Sequence, residues 1–112
     1  MREKSYNINM ELTQLKYFLE VARTEHVTQS AKNLFIVQPA LTQSIHKLED
    51  ELGIPLFKNQ GRNIKLTENG RFFYEKLRPI YEELMALPQL LRDSADKQNY
   101  NVKLNVLAAS TL

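Results

Sequence analysis

Apolar residues recur at helical spacing three times along the chain before the pattern changes. Leu12, Leu15, Phe18, Leu19 and Ala22 predict a first helix over residues 11–24, and Glu25 with His26 breaks it. Thr28 is placed to cap a short second helix ending near Leu34, because its hydroxyl can accept an otherwise unpaired backbone N–H. Leu41, Ile45, Leu48 and Leu52 then repeat at i, i+4, i+7 and i+11, the buried stripe of a third helix. That helix begins at Gln38, carries Pro39 in its first turn and stops at Gly53. Two helices about three residues apart, the second amphipathic, make the helix-turn-helix pattern.

After Pro55 the period shortens. Leu56 and Phe57, then Ile64 and Leu66, flank Asn59-Gln60-Gly61-Arg62-Asn63, which reads as a two-stranded hairpin, or wing. Thr67 and Glu68 open a long helix, as N-cap and first-turn acid. In it Phe73, Leu77, Ile80, Leu84, Leu87 and Leu91 alternate spacings of four and three, a heptad seam for a second copy of the chain. Pro79 and Pro88 fall inside the seam. Each costs about 3 kcal/mol in a regular helix interior, so a bend or break is expected near one of them. Residues 94–101 are polar, a linker by composition, and residues 102–109 alternate in part, like a strand without a partner in this chain.

The predicted fold is therefore mainly α: a winged helix-turn-helix of three helices and a two-stranded wing, then a long dimerisation helix. Its expected parts are an arm (1–9), the winged domain (10–66), the dimerisation helix (67–96), and a hinge with a following strand (97–112).

Composition narrows the class. With 112 residues, 43% of them hydrophobic, there is material for one modest core. The absence of cysteine excludes disulfides and thiolate metal sites, and fits the reducing cytoplasm in which the chain is expected. No apolar run approaches the roughly 18 residues of a membrane span, and residues 1–9 lack a signal peptide's apolar stretch, so no membrane partner is expected. The net charge of +2 is weak support for a nucleic-acid partner. Its distribution says more: residues 1–66 carry nine Lys and Arg against seven acids, and residues 67–112 six of each.

The third helix supplies the candidate chemistry. At about 100° per residue, with the apolar stripe inward, Pro39, Gln43, His46 and Asp50 point away from the core, flanked by Thr42 and Lys47. The N-terminal half of this face has no acid, while Asp50 and Glu51 lie at the far end. A helix entering a major groove by its N-terminus needs that gradient: Gln can pair with adenine in two bonds, and Thr can meet a thymine methyl. On the wing, Gly61-Arg62 offers a cation to a minor groove or phosphate. Alone, either feature is an ordinary solvated surface; adjacent in the chain, they favour DNA.

The alternatives lack such a constellation. His26 and His46 are the only histidines, on different elements, with neither metal-ligand spacing nor a Gly-rich phosphate loop nearby. No catalytic or metal-binding residue is assigned, no cofactor is expected within this chain, and an enzyme is not expected. A winged helix serving as a protein-interaction module is the second reading. The small net charge favours it, whereas the front of the third helix lacks the apolar anchors such a module needs. Phe72, Phe73, Tyr74 and Tyr81, on or beside the seam, read as core and dimer packing rather than a ligand pocket.

Taken together, residues 10–70 resemble the N-terminal domain of the LysR-type transcriptional regulators. The matching text is Met10-Glu11-Leu12-Thr13-Gln14-Leu15-Lys16-Tyr17-Phe18, then Val27-Thr28-Gln29-Ser30-Ala31-Lys32-Asn33-Leu34 and Gln38-Pro39-Ala40-Leu41-Thr42-Gln43-Ser44-Ile45. Leu48-Glu49, Glu51-Leu52-Gly53, Pro55-Leu56-Phe57 and Leu66-Thr67-Glu68-Asn69-Gly70 complete it. The resemblance implies a homodimer built by the long helix, often assembled further into tetramers in the full-length protein. It implies double-stranded DNA as partner, read at imperfect inverted repeats, and a small-molecule effector bound by a C-terminal domain absent here. Residues 102–112 resemble the first strand of that domain, and the nine residues before Met10 exceed the family's usual start.

Carried over by position, Gln38, Pro39, Thr42 and Gln43 match base-reading positions, Thr28 a phosphate-contacting N-cap, and Arg62 the wing cation. His46 and Lys47 extend the same face. Three departures stand out: Val37 replaces a common capping Ser, Gln43 a common Arg, and Ser44 a common Gln. Gln in place of Arg removes a guanine contact and favours adenine. Selection of duplexes in vitro is therefore expected to return an AT-leaning site, and a required guanine opposite Gln43 would contradict this assignment.

Overall fold

The computed structural model describes the backbone of residues 9–110 and the side chains of residues 9–99, so all but Asn9 of the predicted arm lies outside the described residues. The elements run α1 (Leu12–Thr24), α2 (Val27–Leu34), α3 (Gln38–Leu52), β1 (Phe57–Gln60), β2 (Asn63–Leu66) and α4 (Glu68–Ser110). The strands pair antiparallel, Phe57 opposite Leu66 and Gln60 opposite Asn63. Only Gly61 and Arg62 are left to turn the wing, with Gly61 in the left-handed region at φ 63°.

Local chemistry sets the helix boundaries. The Glu11 backbone N–H donates to Gln14 Oε1 at 3.0 Å, closing the start of α1. Gln14 is itself buried and donates through Nε2 to Glu51 Oε1 on α3 at 3.2 Å. It takes the inward position of the first turn, which leaves Leu12, expected in the core, half exposed. Glu25, Phe35 and Gly53 end α1, α2 and α3 in the left-handed conformation.

The cap of α2 is not the predicted one. Thr24 Oγ1 accepts the His26 N–H at 3.0 Å, and His26 Nδ1 accepts the Gln29 N–H at 3.1 Å. His26 is the cap, the helix starts at Val27, and Thr28 lies inside it. At α4 the expectation holds: Thr67 Oγ1 accepts the Gly70 N–H at 2.9 Å.

The core forms under α3 and around one aromatic ring. Leu41, Ile45 and Leu48 are buried on α3, and Leu15, Phe18, Val21 and Ala22 on α1. The Phe18 ring, with no exposed surface, lies 5.5 Å from that of Phe57 on β1 and 5.1 Å from that of Phe73 on α4. Such tilted pairs contribute about 0.5–1.5 kcal/mol each beyond the area they bury. Gly70 is required beside them, because a Cβ there would collide with the Leu56 carbonyl.

The long helix differs from expectation at its start and at its end. The chain divides into two compact units at Arg78/Pro79, not at Leu66, because the first turns of α4 belong to the winged domain's core. Of the expected bend or break, the break does not occur: the helix runs through Pro79 and Pro88. Each proline forfeits one i→i−4 bond, and the flanking turns keep theirs. Residues 97–110 are neither hinge nor strand; the helix continues to Ser110. A lone strand would leave its backbone groups unpaired, whereas a helix satisfies them internally. No helix among the described residues is long and apolar enough to cross a membrane.

Two carboxylates fasten the wing to the helices. Glu49 Oε2 accepts the Leu56 and Phe57 N–H groups at 2.7 and 3.1 Å. Glu25 accepts the Leu66 N–H at 2.9 Å and lies 3.5 Å from Lys65 Nζ. The Leu66 bond, then Lys65, holds the Glu25 carboxyl below its ordinary value of 4.5. A lowered folded-state pKa means stability present above that ordinary value and lost as pH falls through the folded one. Glu25→Gln is therefore expected to flatten the stability profile below about pH 4.5. Denaturant melts from pH 7 to 3 test this, and parallel profiles for variant and parent would reject it.

Candidate nucleic-acid interface

The N-terminal half of α3 stands clear of the core, as the polar face opposite its apolar stripe requires. Gln38, Pro39, Gln43 and His46 are exposed, and Thr42 is half-buried at their centre. α2 and the wing supply two flanks. Together they enclose an open groove of about 600 Å³, lined by Thr28 from α2, Gln38, Thr42 and His46 from α3, and Arg62 from the wing turn. A shallower depression beside it is formed by Gln38, Pro39, Thr42, Gln43 and His46. Seven of the eight predicted contact residues thus share one continuous surface.

The eighth, Lys47, lies on the flank: it is 3.9 Å from Glu11, lines one depression with Glu11 and Glu51, and shares another with Gln43. Both partners of that pair are well exposed, so it adds little stability. A lysine on the flank of α3 was legible, but α1 and its acid beside it were not.

The groove also contains residues the sequence did not single out. His26 and Val27 enter from the start of α2, and Lys58, Asn59 and Asn63 from the wing strands. The available signal was the run Lys58-Asn59-Gln60-Gly61-Arg62-Asn63, which is polar throughout and has no acid.

Hydrogen bonds pre-set the groove's chemistry. Thr28 Oγ1 donates to Gln38 Oε1 at 2.9 Å, so Thr28 orients the first residue of α3 instead of capping α2. Among the described residues no bond engages the Gln38 amide nitrogen, whose two donors remain available. Lys58 stands directly opposite Lys65 in the hairpin, an unfavourable like-charge pair. Glu25 takes up Lys65, which leaves the Lys58 charge to the groove. Glu49 is the one acid among the lining residues, and its carboxylate is committed to Leu56 and Phe57. A groove lined by two cations and one carboxylate that is already hydrogen-bonded to backbone keeps a net positive lining and suits a polyanion.

The predicted dimer seam divides in two. Leu77 is buried within the winged domain, and Phe73 packs its ring on Phe18. Leu77 is therefore part of the domain core, and Phe73, half-buried, packs on that core. Ile80, Leu84, Leu87 and Leu91 are exposed, with Met85 and Leu90 beside them.

Comparison with known proteins agrees with this geometry. The family described as "Bacterial regulatory helix-turn-helix protein, lysR family" matches residues 12–71. The chain is 41% identical over 100 residues to the HTH-type transcriptional regulator BudR of Klebsiella aerogenes, covering 89% of this chain and 70% of that protein. It is 49% identical over 74 residues to the HTH-type transcriptional regulator YybE of Bacillus subtilis (strain 168), covering 66% of this chain and 25% of that protein. Among solved structures, the BenM DNA-binding domain in complex with catB site 1 DNA matches with a TM-score of 0.73 and 35% identity, over 77% of this chain and 97% of that one. The chain belongs to the LysR family of bacterial regulatory helix-turn-helix proteins, and it spans a quarter of the length of YybE.

The division of the seam is open to direct test. Leu77→Asp buries an unpaired charge and is expected to cost the winged domain roughly 3–5 kcal/mol. Leu84→Asp is expected to leave that domain folded. Thermal melts followed by circular dichroism distinguish them, and equal losses in both variants would overturn the division.

Proposed function

We propose that this chain is the DNA-binding part of a transcription regulator, placing the N-terminus of α3 in the major groove of double-stranded DNA and the wing on the minor groove or backbone. The observation that carries the reading is the open groove with Lys58 and Arg62 on its lining and its one acid hydrogen-bonded to the Leu56 and Phe57 N–H groups. The BenM domain, solved with DNA and similar over 97% of its length, supports it.

In this reading Gln38 and Gln43 read base edges, Thr42 meets a thymine methyl, and Arg62 holds a phosphate or enters a minor groove. Pairing of two chains through Ile80, Leu84, Leu87 and Leu91 sets two reading heads on one inverted repeat. The exposure of these four side chains at heptad spacing supports the homodimer. Catalysis has no part in the reading, since His26 is committed to capping α2 and family members are regulators. A small-molecule effector would act through a further domain, outside this chain.

A titration of duplex DNA at several salt concentrations tests the proposal. Affinity is expected to fall log-linearly as salt rises, and Arg62→Ala to reduce the slope by about one per protomer. Binding indifferent to salt, or equal for selected and scrambled duplexes, would overturn it.

A further inference from the structure

The chain ends three helices in the left-handed conformation, and the three residues it uses there differ in what their side chains do. At the end of α3 stands Gly53, φ 70°, which adopts that conformation without steric cost. At the end of α1 stands Glu25, φ 53°, whose carboxylate holds the Leu66 N–H and Lys65. At the end of α2 stands Phe35, φ 59°, and its residue surface is 94% exposed.

The backbone at Phe35 requires this conformation. Its N–H donates to the Lys32 carbonyl at 3.1 Å, and the Ile36 N–H donates to the Ala31 carbonyl at 3.0 Å. This is the Schellman arrangement, where Gly is the usual residue because a Cβ is disfavoured. The aromatic ring improves neither the cap nor the core. Phe35 carries a conformational cost with no return inside the protomer, which points to a contact outside it.

Its neighbours indicate the occupant. Val37, at the cap of α3, is 69% exposed and forms no side-chain cap. In the chain, Gln38 and Pro39 of the DNA-facing surface follow immediately, so Phe35 and Val37 stand within four positions of the proposed interface. Residues 26–48 contain no Asp or Glu, and Lys32 is exposed three residues before Phe35. A large apolar ring in an acid-free, weakly basic stretch suits the edge of a DNA duplex, where Phe can pack on a thymine methyl.

We infer that Phe35, supported by Val37, is an apolar contact to the DNA duplex beside the base-reading end of α3. The inference rests on the DNA-binding reading and adds a residue that reads shape and methyl groups without hydrogen bonds.

The test exploits opposite signs. In the full chain, Phe35→Gly relieves the left-handed strain and is expected to raise the melting temperature by about 4 °C. The same change is expected to weaken binding to a duplex recovered by in vitro selection roughly tenfold, through lost apolar burial. Phe35→Leu, which keeps much of the apolar surface, is expected to retain most of the affinity. A Phe35→Gly variant that binds as tightly as the parent overturns the inference and leaves the DNA reading intact. A lowered melting temperature overturns it as well, since the ring would then be serving the fold. Unchanged affinity for a single half-site, with loss of higher oligomers in ultracentrifugation, would assign the ring to a protein contact instead. Failure of the parent chain to select any duplex removes both readings.

Discussion

The Phe18 ring is the contact on which the winged domain depends. It is closed off from solvent by Phe57 of the wing and Phe73 of the long helix, so three elements remote in sequence meet on one side chain. Removing it would take away a contact that α1, β1 and α4 share. The wing is a two-stranded ribbon, marginal by itself, and gains its position from this packing and from two carboxylate anchors. Glu49 holds its entry and Glu25 its exit. The groove between α3 and the wing is therefore fixed before any ligand arrives, which lowers the ordering cost of binding.

The same anchors resolve an electrostatic puzzle. A net charge of +2 is small for a chain read as binding a polyanion. Several acids of the winged domain, however, are engaged within it. Glu20 accepts from Arg23 at 2.6 Å and from Asn33, Glu51 accepts from Gln14, and Glu25 and Glu49 bind wing backbone N–H groups. The Arg23 bond holds the Glu20 carboxyl below its ordinary value. Of these acids only Glu49 lines the groove, beside the cations Lys58 and Arg62. Position, not the total, decides the local field.

Much of this was legible in the sequence because the chemistry there is local. The stripe Leu41, Ile45, Leu48 fixed the orientation of α3, and Gly53 and Gly61 marked its end and the wing turn. The failures share a cause: each depended on something remote. Thr28 has the right side chain for a cap, but Thr24 fixes His26 one turn earlier and Gln38 engages the Thr28 hydroxyl. Phe73 and Leu77 fit a heptad seam as well as they fit a core, and only the presence of Phe18 separates the two. Alternation over residues 102–109 resembled a strand, yet with no neighbouring strand in the chain the helix is the conformation that satisfies its own backbone.

The divided seam has a consequence for how binding would be built. Per protomer the groove exposes few cations, so one reading head gains limited affinity from counterion release. Joining two heads changes the arithmetic, because the second head then binds at an effective concentration set by the linkage and not by bulk protein. That gain requires the side chains that join two chains to be distinct from those that hold each domain together. α4 meets the requirement: Phe73 and Leu77 are used within the winged domain, while Ile80, Leu84, Leu87 and Leu91 are exposed, as the proposed pairing requires. One heptad register thus serves two purposes in succession, and the change from one to the other falls at the Arg78/Pro79 boundary.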